Sequence, residues 1–379
     1  MIKLNFNNDW NWRKIGEEDW RETTLPHDAL IFENRKEGVP SGVNLGWYEC
    51  YDYEYRKTFT LPEEYKDKEL TFEFEGVYRN AEVYINGEKA CFRPYGYTNF
   101  YVPANEYLKF GEENEIQVFA KNADQPNSRW YSGAGIYRPV HLYVADKKHI
   151  RFNGVKIKTL QIHPAIVEVK VATSEAGEVA VKLEKDGTMV ATSAMQSGGE
   201  CVFTFEIPDA KLWSPDTPEL YTCKVQFGDD ECVERFGIRT ISCTPEEGFC
   251  LNGKRVILRG ACIHHDNGIL GARCYTEAEY RKIAILKENG YNAVRSAHNP
   301  CSKAMLDACD ELGMMMMDEY VDMWYIHKTM HDYADYVLDW YEQDITDMIE
   351  KDYNHPSVVM YSLGNEVAQT GQKKGIEFF

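Results

Sequence analysis

This chain is poor in several things, and each shortage removes a class of function. None of its 379 residues falls in an apolar run long enough to span a membrane. Its opening, MIKLNFNNDWNWRK, has neither an apolar core nor a small-residue cleavage pattern, so no secretory leader is expected. The eleven cysteines contain no Cys-x-x-Cys pair, and their odd number and scattered spacing fit neither a zinc site nor a disulfide framework. Reduced thiols in a cytoplasmic setting are the expectation. Positive charge is also scarce: 42 Lys and Arg stand against 61 Asp and Glu, a net charge of −19. That balance argues against nucleic acid and anionic membranes as partners. What the chain does have is aromatic surface, with 25 Tyr and 8 Trp, and enough apolar residues to build several cores. Its length points to two or three domains.

Residues 1–145 read as all-β. Leu70, Phe72 and Phe74 alternate within ELTFEFE, AEVYI (81–85) runs into an Asn86-Gly87 hairpin turn, and EIQVFA (115–120) and PVHLYV (139–144) repeat the pattern. Short strands with turn signals indicate a sandwich or jelly roll. Residues 146–242 continue with IVEVKVA (166–172), VAVKLE (179–184), CVFTFEI (201–207) and LYTCKVQF (220–227), a spacing that suits an immunoglobulin-like sandwich. From residue 243 to 379 the periodicity changes to alternating strands and helices. Val256–Ile263, Asn292–Arg295, Met314–Met317 and Val358–Leu363 are strand candidates. Thr276 opens a helix that ends at Gly290, and its spacing to Glu279 matches a capping box. Ser302–Leu312 and Asp335–Lys351 are helical. This is the pattern of a parallel α/β sheet.

Each of these strands ends in polar residues: His264-His265, Arg295 through His298, Asp318-Glu319 and Asn365-Glu366. In a parallel sheet all four sets fall on one face, where barrel enzymes keep their chemistry. Glu366 reads as a general acid and then base, with Asn365 bonding a substrate hydroxyl; Asn-Glu also reads as a helix start. Arg295 reads as a guanidinium that orients a carboxylate, or equally as one partner of a buried ion pair. His264 and His298 suit hydrogen bonds to sugar hydroxyls. Asp318, Glu319, Asp322 and Trp324 can line the same cleft, Trp324 as a sugar-stacking ring or as an apolar lid. The loop QPNSRWYSGAGIYR (125–138) reads first as glycine-assisted packing, with reach toward a sugar as its second reading. No HExxH is present, and the adjacent His264, His265 and Asp266 are badly spaced for one ion. No cofactor is required, and the spacing gives no support to a Mg2+ or Na+ site.

Taken together these segments resemble glycoside hydrolase family 2, the family of β-galactosidases, β-glucuronidases and β-mannosidases. The resemblance is carried by GVYRNAEVYING (76–87), NSRWYSGAGIYR (127–138), FGIR (236–239), GFCLNGKRVILRGACIHHDNGILG (248–271), NAVRSAHNP through CDELGMMMMDE (292–319) and KDYNHPSVVMYSLGNE (351–366). It implies a retaining hydrolase of terminal β-D-galactosides, with β-glucuronidase as the alternative. Glu366 would be the acid/base, with burial and the nucleophile's charge favouring its protonated form. Asn365 would hold the hydroxyl at carbon 2, His264 and His298 would contact substrate, and Arg295 would support the carboxylates. DMW (322–324) resembles the galactosidase branch and adds Asp322 and Trp324 to the substrate contacts. The longer enzyme would be a homo-oligomer. Tyr361 stands where the family has Trp, and is expected in the barrel core. The nucleophile, a Glu on the seventh barrel strand, has no counterpart here, so turnover by this chain alone is not expected. The resemblance also makes residues 243–379 the first half of an eight-stranded (β/α)8 TIM barrel, which would leave Met314–Met317 uncovered and its first and fourth strands as edges. A carbohydrate-binding fragment without catalysis is the rival from another class, and a subunit completed by a second polypeptide is a third reading.

Overall fold

The computed structural model describes residues 1–378. Two antiparallel sheets form the N-terminal sandwich. The first orders strands Ile2–Asn5, Val140–Ala145, Glu69–Phe74 and Phe100–Pro103. The second orders Arg21–Thr23, Trp10–Lys14, Asp52–Thr60, Glu113–Lys121, Ala81–Ile85 and Glu88–Arg93. Alternation sends Leu70, Phe72 and Phe74 inward against Trp10, Tyr55 and Val118, all fully buried. Each such side chain contributes about 1.5–3 kcal/mol of transfer free energy. Asn86 and Gly87 both take positive φ, 51° and 85°, as the two-residue hairpin turn between Ala81–Ile85 and Glu88–Arg93 requires.

The second sandwich packs the sheet Ile150–Ile162, Ala165–Thr173, Glu200–Ile207 against the sheet Thr188–Ser197, Gly177–Lys185, Tyr221–Phe227, Asp230–Phe236. This seven-stranded, two-sheet arrangement is immunoglobulin-like. A small hairpin sheet, Ile241–Thr244, Gly248–Leu251 and Lys254–Arg255, follows it and leads into the parallel sheet. Among the described residues no helix is long and apolar enough to cross a membrane.

The third unit is a four-stranded parallel sheet in sequence order: Gly260–Ile263, Ala293–Ser296, Met315–Glu319 and Val358–Ser362. Helices Thr276–Glu288, Lys303–Leu312 and Ala334–Asp352 connect the strands. The first strand is shorter than its apolar run suggests. Val256 still donates its N–H back to Phe249 in the hairpin, and the Asn292 side chain takes the backbone of Ile257 and Arg259. The capping box at Thr276 does not form: the helix is capped at Tyr275 without a side-chain bond. Glu279 turns inward instead, accepting from Asn267 at 2.8 Å. Ser302 does cap its helix, accepting from the Met305 N–H at 3.2 Å, and Gly313 ends it at φ 70°.

Two burial expectations are corrected. Met314, Met315 and Met316 are fully buried, because the connecting helices cover one face and Trp213 and Leu251 cover Met315 on the other. Tyr361, expected in the barrel core, is 43% exposed, since its strand lies at the sheet edge. The concave face of the sheet is an open groove of about 270 Å³, lined by Ala261, Cys262, Arg295, Met317, Val359 and Met360.

Candidate functional site

The parallel register delivers the strand-end residues to one place. Glu319, at the end of the third strand, is wholly buried and draws donors from both neighbouring strands. Arg295 Nε–H donates to its Oε2 at 2.9 Å, and a second Arg295 bond comes from Nη2. His298 Nδ1–H donates to Oε1 at 2.7 Å and Ser362 Oγ–H to Oε2 at 2.6 Å. Asp318, next to it, faces the other side of the strand and holds Ser296, the Cys301 N–H and Lys351.

Asn365 is buried and its amide is clamped at both ends. Its oxygen accepts from Arg295 Nη2 at 3.0 Å, and its nitrogen donates to Asp322 Oδ1 at 2.8 Å. The charges on either side fix which end of the amide faces which neighbour. Asp322 is itself 1% exposed and paired bidentately with Arg129, at 2.8 and 2.6 Å, and with Lys328 at 3.0 Å. Burial works against its charge, but the bonds from Arg129, Asn365 and Lys328 prevail and hold its carboxyl below the ordinary range. Asp322 thus braces Asn365 in this arrangement.

Glu366 differs from the carboxylates around it. Its side chain is 73% exposed, its backbone is left-handed at φ 45°, and Arg129 Nη2 lies 3.5 Å from Oε2. The burial expected of it is therefore absent among the described residues. Nor does a regular helix begin at Asn365. Val367 precedes a short 3-10 turn at Ala368–Gly371. Gly364 admits no side chain, since a Cβ there would fall 2.8 Å from Trp324 Nε1. Trp324 is 2% exposed, donates its indole N–H to the Leu363 carbonyl at 2.8 Å and packs on Phe378. It supports the strand end at Leu363 and Gly364.

His264 and His298 lie edge to face, with ring centroids 5.8 Å apart, and Trp130 stacks on His264 at 5.4 Å. Partial burial, and then His298, push the His264 pKa below its ordinary value. Trp130 and Arg129 belong to the loop whose first reading was packing. The loop does pack, but it also reaches the strand ends. The signal was the Arg-Trp-Tyr cluster in NSRWYSGAGIYR; Lys328 had no comparable signal, because it comes from an irregular segment.

Among the described residues, two groups have donors close enough together for a metal ion, and neither is at this face. In the Glu73, Glu75, His141 group Lys303 already pairs with Glu73, and Asp310 of the Asp307, Asp310, His355 group is bonded to His355 and the Ser357 N–H.

Two buried histidines predict an acid-sensitive fold. His27 and His265 are both pushed down to about 3, mainly by burial. Below their ordinary pKa, 6.5, the unfolded chain takes up protons that the native chain refuses until about 3. Stability should therefore fall as the pH drops from about 6.5 towards 3, by at most about 1.4 kcal/mol per pH unit for each histidine. Urea midpoints at pH 7.5, 6 and 5 check this. A His27→Gln and His265→Gln double variant should show a flatter profile, and an unchanged slope would contradict the assignment.

The comparisons agree with this architecture. The model for "Glycosyl hydrolase 2 galactose-binding domain-like" matches residues 10–153, "Glycosyl hydrolases family 2" matches 148–239, and "Glycosyl hydrolases family 2, TIM barrel domain" matches 244–377. The chain is 39% identical to Beta-galactosidase BoGH2A of Bacteroides ovatus, over 97% of the chain and 47% of that protein. It is 35% identical to a putative beta-glucuronidase of Formosa agariphila, over 96% of the chain and 37% of that protein. A crystal structure of a glycosyl hydrolase family 2 member from Bacteroides cellulosilyticus superposes with a TM-score of 0.93 at 34% identity, covering 100% of this chain and 53% of the other. The chain thus spans about half, or less, of the length of these relatives.

Proposed function

The chain belongs to glycosyl hydrolase family 2, and from that membership we propose that it carries the acid/base half of a retaining β-galactosidase site. The observation that carries the reading is the contrast at the strand ends. Glu366 has an open carboxylate, whereas Asp318, Glu319 and Asp322 beside it are at most 1% exposed and fully engaged. An acid/base must reach the leaving oxygen and later a water, and only Glu366 of these four is free to do so.

In this reading Glu366 protonates the glycosidic oxygen as the bond to carbon 1 breaks, then takes a proton from the water that releases the sugar. Asn365 keeps a second amide hydrogen and a second lone pair for the hydroxyl at carbon 2. His264 and His298 offer hydrogen bonds to further hydroxyls, and Trp130 offers an apolar edge. The nucleophile is supplied from outside these residues, because none of the three engaged carboxylates can leave its partners without stranding buried charge. The β-glucuronidase reading is supported by the second relative's name and by two cations, Arg129 and Lys328, beside the site. Asp322 already engages both cations, and the Bacteroides ovatus relative is a β-galactosidase, so the galactoside reading is preferred.

The pure 379-residue chain is expected to release no nitrophenol from nitrophenyl β-galactoside, while an enzyme with the completed barrel releases it and prefers it to the β-glucuronide. Turnover by the pure chain that disappears in Glu366→Gln would sink the half-site reading. Binding of galactosides without turnover by the completed enzyme would favour a carbohydrate-binding role instead.

A further inference from the structure

The surface made by Trp130, His264 and His298 is assembled from three loops, one on the sandwich and two on the parallel unit, and one buried carboxylate is bonded to the loops of Trp130 and His264. Asp28, in the segment LPHDAL (25–30), is fully buried. Its Oδ1 accepts the N–H groups of Leu30 at 3.0 Å and Ala134 at 2.9 Å. Its Oδ2 accepts the Tyr131 hydroxyl at 2.7 Å and the Ala272 N–H at 2.8 Å. Tyr131 and Ala134 belong to the loop that carries Arg129 and Trp130. Ala272 belongs to the loop that leaves the first parallel strand through His264 and His265.

The packing around Asp28 leaves no slack. A Cβ on Gly271 would lie 2.3 Å from Asp28 Oδ2, and one on Gly133 would lie 3.0 Å from it and 2.5 Å from the Ala272 Cβ. Both glycines have positive φ, 64° and 70°, so each is doubly constrained. His265 Nε2–H adds a bond between the same two loops, to the Ser132 carbonyl at 3.0 Å. The four donors to Asp28 are neutral, and they are what a buried carboxylate needs to remain in place.

We propose that Asp28 is a positioning residue of the site, clamping the Trp130 loop of the sandwich to the His264 loop of the barrel and so holding the Trp130–His264 stack in register. Its relevance to catalysis rests on the family reading above; the clamp itself does not. Asp28→Asn separates the two ends of the clamp. One amide oxygen can still serve Leu30 and Ala134, but the amide nitrogen then faces the Tyr131 hydroxyl, which can rotate, and the Ala272 N–H, which cannot.

The test is hydrogen exchange on the 379-residue chain, joined to histidine-selective NMR. In Asp28→Asn, peptides covering 127–136 and 268–274 should exchange about tenfold faster or more, with the strand Ala165–Thr173 unchanged. The His264 ring signals should shift as the Trp130 ring moves away. Unchanged protection of 268–274 together with an unmoved His264 signal would overturn the proposal. If Asp28→Asn loses protection throughout the chain, Tyr131→Phe, which removes a single donor, is judged by the same two readouts. In the completed enzyme the variant should raise KM more than it lowers kcat, and loosened loops with unaltered kinetics would refute the positioning role. A completed enzyme that hydrolyses no glycoside would count against the family reading while exchange and NMR still decide the clamp.

Discussion

Arg295→Ala is expected to destabilise the barrel portion by about 3–5 kcal/mol, a large share of the 5–15 kcal/mol typical of a domain. The reason is Glu319, whose side chain is 0% exposed and takes two bonds from Arg295. Removing the guanidinium leaves that buried charge with one imidazole and one hydroxyl, from His298 and Ser362. The three units need not unfold together, so the loss is best read locally, from exchange of the Met315–Glu319 strand, rather than from one global midpoint. An Arg295→Met, Glu319→Leu double variant should recover most of the stability, because both charges leave together. It should not recover function. Arg295 also holds the oxygen of Asn365 at 3.0 Å, and no apolar side chain can do that. Stability restored without activity would separate the ion pair's structural role from its orienting one. A cost below about 1 kcal/mol for Arg295→Ala would mean that Glu319 is not held as a buried charge.

That ion pair also marks how far the sequence could be read. The alternation of Leu70, Phe72 and Phe74, the Asn86-Gly87 turn, and the Ser302 and Gly313 helix limits are local signals, and local backbone chemistry realised each of them. The convergence of Arg295, Asn365 and Glu319 was legible too, because a parallel strand places its C-terminal residue on a known face. Both readings of Arg295, carboxylate orienter and buried ion pair, describe the same bonds.

The failures are tertiary. Tyr361 looked like core because its strand is apolar, but an edge strand has a neighbour on one side only. Met314–Met316 looked uncovered because the sequence does not say that Trp213 and Leu251, from preceding units, pack against Met315, whereas Met317 does line the open groove. The pairing of Asp322 with Arg129, 193 residues away in sequence, left no signal either. Side chains that meet across domains leave no periodic trace, and Asp28 is the extreme case: one residue, four partners, three segments.

Glu366→Gln should lower kcat by about 10²–10⁴ in an enzyme carrying the completed barrel, with the larger loss for substrates whose leaving group needs a proton. Gln keeps the shape of the side chain and removes only its ability to carry a proton. Because Glu366 is 73% exposed and its one bond among the described residues is the 3.5 Å contact with Arg129, stability should change by no more than about 0.5 kcal/mol. This is the opposite of the Arg295 result, where the fold suffers. A nitrophenyl leaving group departs without protonation, so its first step should be nearly spared and the sugar–enzyme intermediate should accumulate, since no base remains to activate water. Azide, a nucleophile that needs no base, should then restore turnover and give a β-configured glycosyl azide. Loss of activity that azide does not restore, in a variant as stable as the parent, would remove Glu366 from the acid/base role and turn attention to Asp266, the remaining acidic residue on the loop after the first strand.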